Sequence, residues 1–138
     1  MTEALKKQLI HHEGLRLHPY RCTAGKLTIG VGRNIEDNGI TRDEAMYMLE
    51  NDIQQCFADL AELFPDFQKF SSARQYALVD LRFNLGPNRF RSFRRMIAAI
   101  REQDWEEAAI ELKDSLWWNQ VQMDRKDTLH HQLRTGEM

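Results

Sequence analysis

Cysteine, proline and glycine are scarce in this 138-residue chain, and a long apolar run is missing altogether. Cys22 and Cys56 are its two cysteines, too few for the disulfide framework of a small secreted scaffold. The first residues, Met1 to Glu13, show acids and histidines where a secretory signal has an unbroken apolar core, so free thiols in a reducing compartment are expected. No apolar stretch approaches the roughly 18 residues of a membrane span. Nor does either charge dominate: 19 Lys and Arg against 21 Asp and Glu leave a net charge of −2, which removes whole-molecule steering toward polyanions. A phosphate-cradling glycine loop and a nucleophile elbow are both absent. The adjacent pairs His11-His12 and His130-His131 do not share one helical face, so no metal and no cofactor is expected. What is present, 42% apolar and 29% charged residues, describes a soluble globular protein of one domain or of two small lobes sharing a core.

Thr2 caps a helix whose Leu5, Leu9 and Ile10 recur at helical spacing, and Gly14 ends it at Glu13. From Tyr20 the pattern changes. An Ala24-Gly25 turn leads into Leu27-Thr28-Ile29-Gly30-Val31-Gly32, where apolar residues alternate at period two and predict a short β-hairpin. Asn38-Gly39 makes a turn, and Thr41-Arg42-Asp43-Glu44 is a capping box. A long helix follows, with Ala45, Leu49, Ile53, Cys56, Leu60 and Leu63 as its apolar stripe up to Pro65. Beyond it the signals are helical: 72–85 closed by Gly86-Pro87, 92–101, 104–112 opened by a second box at Asp104 and Glu107, and 124–133. Neither Pro nor Gly occurs between Asn88 and Thr135. The order predicts an α+β fold: a small hairpin lobe at about 14–40, a connecting helix at about 42–64, and a helical lobe at about 65–138 that also takes helix 2–13. A cleft between the lobes is the expected place for a site.

Three residues of the small lobe bear on chemistry. Glu13 stands at a helix carboxyl end, where unpaired carbonyls disfavour a second negative charge; the expectation is a raised pKa, as a general acid needs. On position alone an ordinary exposed Glu at a frayed helix end is the favoured reading. Thr28 lies between Leu27 and Ile29, so with those two facing the core its hydroxyl faces solvent or a cleft. Cys22, outside the apolar alternation, is expected on the surface of the same lobe, and reactivity there requires a stabilised thiolate.

The run Glu13-Gly-Leu-Arg-Leu-His-Pro-Tyr20-Arg-Cys22-Thr-Ala-Gly-Lys-Leu-Thr28-Ile-Gly-Val-Gly32 places Cys22 nine residues after Glu13 and Thr28 six further on. It resembles the amino-terminal signature of the phage lysozyme family, the endolysin muramidases. The likeness continues through Gly39-Ile-Thr-Arg-Asp-Glu-Ala45, Phe83-Asn-Leu-Gly86, Trp105-Glu-Glu-Ala-Ala109, Trp117-Trp-Asn119 and Leu133-Arg-Thr-Gly136, essentially the whole chain. The resemblance implies a lysozyme-like fold and hydrolysis of the β-1,4 bond between N-acetylmuramic acid and N-acetylglucosamine in bacterial peptidoglycan.

By that resemblance Glu13 protonates the glycosidic oxygen, Cys22 occupies the position where many relatives carry Asp, and Thr28 completes the catalytic group. Phe83 resembles a cleft-lining aromatic, while an aromatic packed into the helical lobe is its ordinary reading. Arg125, after a one-residue shift within 121–124, resembles the arginine that reaches the catalytic Glu. Arg33 stands where relatives often have His, and the short segment from Arg33 to Gly39 implies a trimmed small lobe. Cys in place of Asp keeps two alternatives open: a lytic transglycosylase giving 1,6-anhydro products, and a weakly active or non-catalytic peptidoglycan-binding protein. The implied partner is bacterial peptidoglycan, with no nucleic acid, no membrane span and a monomeric state. A separate holin-like pore would give a protein made in the host cytoplasm access to the wall.

Charge is segregated along the helical half. Arg82, Arg89, Arg91, Arg94, Arg95 and Arg101 are followed by Glu102, Asp104, Glu106, Glu107, Glu111 and Asp114. Solvated helix faces that pair with one another are the ordinary reading; attraction to an anionic wall polymer or outer-membrane lipid, weakened by salt, is the functional one.

Overall fold

A computed structural model describes residues 2–138, and shows the α+β class. The chain divides into two compact units, one ending at Met48 and the other comprising Leu49–Met138. The first holds α1 (Thr2–Glu13), a sheet of β1 (Arg16–Arg21), β2 (Leu27–Gly30) and β3 (Arg33–Asn34), the one-turn helix α2 (Ile35–Asn38), and the start of α3 (Arg42–Leu63). Helix α1 ends at Glu13 as its sequence predicts, with the Gly14 N–H donating to the Ile10 carbonyl at 2.8 Å. Its Leu5, Leu9 and Ile10 remain exposed.

The sheet is larger than the expected hairpin: three antiparallel strands in the order β1-β2-β3. Strand β1 begins at Arg16, ahead of Tyr20, and no periodicity announces it because Leu17 points to water, 78% exposed. Its Pro19 is tolerated since an edge strand has a free side, and the ladder is irregular between Arg16 and Tyr20. Strand β3 has two residues, too few to show a period. Polar contacts tie this unit together. Arg21 and Lys26 both reach Glu36, Lys26 also meets Asp37 at 3.2 Å, and Asn34 caps α2 by accepting from the Asp37 N–H at 3.0 Å. The Thr41–Glu44 box closes reciprocally: the Thr41 N–H donates to Glu44 Oε1 at 2.8 Å, and the Glu44 N–H to Thr41 Oγ1 at 3.2 Å.

The second unit begins within α3 and continues through a 3-10 turn (Phe67–Lys69), α4 (Ser72–Leu85), α5 (Pro87–Arg91), α6 (Arg94–Arg101), α7 (Trp105–Lys113), α8 (Leu116–Gln120) and α9 (Met123–Thr135). Gly86-Pro87 ends α4 as expected and also starts α5, because a proline at the first helical position gives up an N–H that would have had no partner. The core lies here: Leu60, Phe64, Phe67, Leu78, Leu81, Phe90, Met96, Ile100, Leu112, Leu129 and Leu133 are each at most 1% exposed. Each such side chain contributes about 1.5–3 kcal/mol by burial. Arg74 fastens the end of α9 by donating to the carbonyls of Leu133 and Arg134, both at 2.9 Å. Its guanidinium also lies 4.3 Å from the centre of the Trp105 ring.

The arginine run pairs differently from the simple expectation of two facing charge runs. Arg82 and Arg91 both bind Asp59 of α3, and Arg101 donates to the Leu63 carbonyl at 3.1 Å. Among the described residues no carboxylate lies within ion-pair distance of Arg89, Arg94 or Arg95; with Ser92, Glu111 and Asp114 these three line a pocket of about 510 Å³.

Candidate active site

The β1–β2 turn brings Cys22 and Thr28 together. The Gly25 N–H closes the turn on the Cys22 carbonyl at 2.8 Å, and the Cys22 N–H donates to the Lys26 carbonyl at 3.0 Å. This folds the backbone round the thiol, which is partly exposed and not in a disulfide. The backbone N–H of Lys26 and then that of Ala24 favour the thiolate and lower the Cys22 pKa from its ordinary 9.0; burial opposes them, and the Thr28 hydroxyl adds a lesser lowering. Cys56 is the opposite case. It is 1% exposed, and desolvation raises its pKa despite Arg82 nearby.

Thr28 corrects one expectation. Its side chain is 3% exposed, the buried one among the described residues of the first unit, while Leu27 and Ile29 are half-buried. The alternation is real but its faces are exchanged. The reason is topological: β2 is the central strand, with Thr28 opposite both Tyr20 and Asn34, and the described residues of this unit bury no apolar side chain that would draw Leu27 and Ile29 into a core. The buried hydroxyl is satisfied by the Lys26 carbonyl, 2.8 Å away. A hydroxyl has one proton to donate, so while it serves that oxygen it cannot also serve the Cys22 sulfur.

Glu13, exposed at the end of α1, lies against the β2–β3 turn. A Cβ placed on Gly32 would come within 2.7 Å of Glu13 Oε2. Nothing in the sequence signals this contact, because Gly32 reads there as one more small residue in an alternating strand. Beside it, Arg33 Nη1 meets Glu44 Oε1 at 2.5 Å. That guanidinium, and after it the Thr41 N–H, hold the Glu44 pKa down to about 2.

In the second unit Phe83 and Arg125 are brought to one place. Phe83, on α4, is 42% exposed and lines a pocket of about 410 Å³ with Leu49, Ile53, Phe57, Tyr76 and Arg125. It is an aromatic on an open face and not one packed into the core. Arg125, on α9, donates to Oδ1 of Asp80 through Nε at 2.7 Å and approaches the same oxygen through Nη2 at 2.6 Å. Asp80 is a neighbour that the sequence did not single out. Beneath this face the Trp117 indole N–H donates to Asn84 Oδ1 at 2.8 Å, which anchors the Trp117-Trp-Asn119 block on α4. Among the described residues no cluster of three or more His, Cys, Asp or Glu is arranged to hold a metal.

A family model described as phage lysozyme matches residues 10–133. The chain belongs to the phage lysozyme family. Members of this family are glycosidase-type hydrolases of peptidoglycan, of lysozyme and endolysin type. A probable T4-type lysozyme 2 of Dictyostelium discoideum is 28% identical to it over 151 residues, covering 88% of each chain. An endolysin of Acyrthosiphon pisum secondary endosymbiont phage 1 is 31% identical over 85% of this chain and 78% of its own. The pre-baseplate central spike protein Gp5 of Enterobacteria phage T4 is also 31% identical, over 88% of this chain but 25% of its own length. The phage lysozyme match spans all three blocks that carry candidate chemistry: the end of α1, the sheet, and the α4 and α9 positions of Phe83 and Arg125. No helix among the described residues is long and apolar enough to cross a membrane.

Proposed function

We propose that this member of the phage lysozyme family is an endolysin that hydrolyses the β-1,4 bond between N-acetylmuramic acid and N-acetylglucosamine, and that it serves host lysis. The observation that carries the reading is the β1–β2 turn, which closes round a free and partly exposed Cys22 thiol beside Thr28, at the position where the resemblance puts an Asp in many relatives. A glycosidase needs one group that gives a proton to the leaving oxygen and a second, across the sugar, that meets the positive charge developing at the anomeric carbon. Glu13 is the acid in this proposal. Cys22, whose pKa is lowered by the backbone N–H groups of the turn, takes the second role as nucleophile or base in its thiolate form, with Thr28 beside it. Phe83 offers a face for sugar rings, and Arg125, already oriented by Asp80, binds an anionic or carbonyl group of the substrate. The proposed molecule works as a monomer, accumulates in the host cytoplasm and reaches the wall through a separate holin-like pore.

The test is digestion of purified peptidoglycan by the parent, Glu13→Gln, Cys22→Ser and Cys22→Asp proteins, with products identified by mass. The parent is expected to release fragments carrying one added water per cleaved bond. Glu13→Gln should lose about 10²- to 10⁴-fold in rate, as expected when a general acid is removed. Cys22→Asp should remain active and Cys22→Ser should fall well below the parent. Products closed as 1,6-anhydro sugars would replace hydrolysis by transglycosylation. Most of the activity surviving in Glu13→Gln would overturn the acid assignment, and binding without any product would leave a peptidoglycan-binding protein.

A further inference from the structure

We infer that Gly32 is a positioning residue for Glu13: the missing side chain at this point of the β2–β3 turn is what seats the carboxyl. The inference rests on the reading of Glu13 as the acid. A Cβ on Gly32 would stand 2.7 Å from Glu13 Oε2, 3.1 Å from Cδ and 3.2 Å from Cβ. Carbon atoms attract best at about 3.5–4.0 Å, so all three contacts are repulsive. They run from the root of the Glu13 side chain to its tip. Turning the carboxylate alone relieves the contact at Oε2 but not those at Cδ and Cβ, so the side chain must also shift along its length by a few tenths of an ångström, which moves the carboxyl off its seat.

The turn itself is poorly able to yield. Ile29 pairs with Arg33 across it, and Arg33 is held by Glu44 on the other side at 2.5 Å. Glu13, by contrast, is exposed and swings into water at little cost to the fold. The two consequences of a methyl group at this position therefore separate. Stability loses little beyond the strain of a side chain at positive φ, whereas the carboxyl loses its place. A general acid acts within about 2.6–3.2 Å of the atom it protonates, and misplacement by about 1 Å costs on the order of 10² in rate.

The sheet contains its own control. Gly30 has φ +71° and Gly32 has φ +64°, so an alanine at either meets a comparable left-handed penalty. Yet a Cβ on Gly30 meets no atom within 4 Å. Any excess effect at position 32 is the effect on Glu13.

The experiment compares Gly32→Ala, Gly30→Ala, Glu13→Gln and the parent on soluble peptidoglycan fragments, measuring kcat, KM and Tm for each. Gly32→Ala is expected to lower kcat about 10²-fold with KM within about twofold of the parent. Gly30→Ala should keep kcat within a few-fold, and the two alanine variants should share one Tm within a few degrees. Equal loss of kcat in both variants would assign the effect to backbone strain and overturn the inference. So would full kcat in Gly32→Ala, or its unfolding under conditions where Gly30→Ala stays folded. An active Glu13→Gln protein removes the acid reading itself, whereas an inactive Glu13→Gln beside a fully active Gly32→Ala removes only the positioning.

Discussion

Residues 49–138 bury a continuous set of Phe, Leu, Ile and Met side chains, whereas the described residues up to 48 bury one side chain, and it is a threonine. The second unit is held by exclusion of water from apolar surface, which is non-directional and large in sum. The first is held by directed polar contacts: the three-stranded ladder, the Arg33–Glu44 pair, the acids of α2 meeting Arg21 and Lys26, and the Thr41–Glu44 box. The proposed acid and thiol belong to the unit with the poorer core. Donors and carboxyls there stay near water, at the expense of local stability. Low-stability regions are where functional groups are commonly drawn from.

The largest expected effect is on stability, and it separates the units. Leu81→Ala removes a side chain that is 1% exposed in the second unit and should cost about 2–5 kcal/mol, whereas Leu17→Ala, at a position 78% exposed, should change stability by less than about 0.5 kcal/mol. Urea titration of both proteins measures the difference. Similar costs would mean that the first unit has an apolar core after all.

A smaller effect sharpens the contrast through pH. The Glu44 pKa is about 2 in the folded protein against an ordinary 4.5, because Arg33 and the Thr41 N–H favour the ionised form. A depressed carboxyl pKa contributes stability above the ordinary value, and that contribution disappears as pH falls from about 4.5 through about 2. Hydrogen exchange at the Thr41 amide should therefore lose protection over that window in the parent. Glu44→Gln should begin less protected and show a flatter profile. Superimposable profiles would show that the ion pair does not hold the start of α3.

The smallest effect is confined to one thiol. Thr28→Val removes one of the lesser influences that lower the Cys22 pKa and leaves the backbone N–H groups of Lys26 and Ala24 in place. The pH midpoint of Cys22 alkylation should move upward, toward the ordinary thiol value, and only modestly. Iodoacetamide kinetics measure it with little interference from Cys56, which is 1% exposed. An unchanged or lowered midpoint would mean that the Thr28 proton stays on the Lys26 carbonyl.

Much of the fold was legible in advance where the signal is local. Gly14 after Glu13, the Thr41–Glu44 box, the Gly86-Pro87 stop and the Asp104 cap, which accepts from the Glu107 N–H at 3.2 Å, each act within one helical turn and each appear as expected. Strands β1 and β3 were less legible, one because its Leu17 faces water and the other because it is two residues long. The candidate site divides in the same way. Glu13, Cys22, Thr28, Phe83 and Arg125 could be named from spacing and resemblance, while Gly32 and Asp80, which touch two of them, could not.

By itself the order of residues determined the helix ends, the α+β class and the family, since caps, turn residues and apolar periods act between neighbours along the chain. Tertiary structure alone decided that Thr28 faces inward beside Cys22, that Arg125 takes Asp80, that Arg82 and Arg91 share Asp59, and that Glu13 rests on a glycine. Those outcomes depend on which strand is central and how elements distant in sequence come into register. The free energy of such contacts exists only once both partners have been placed.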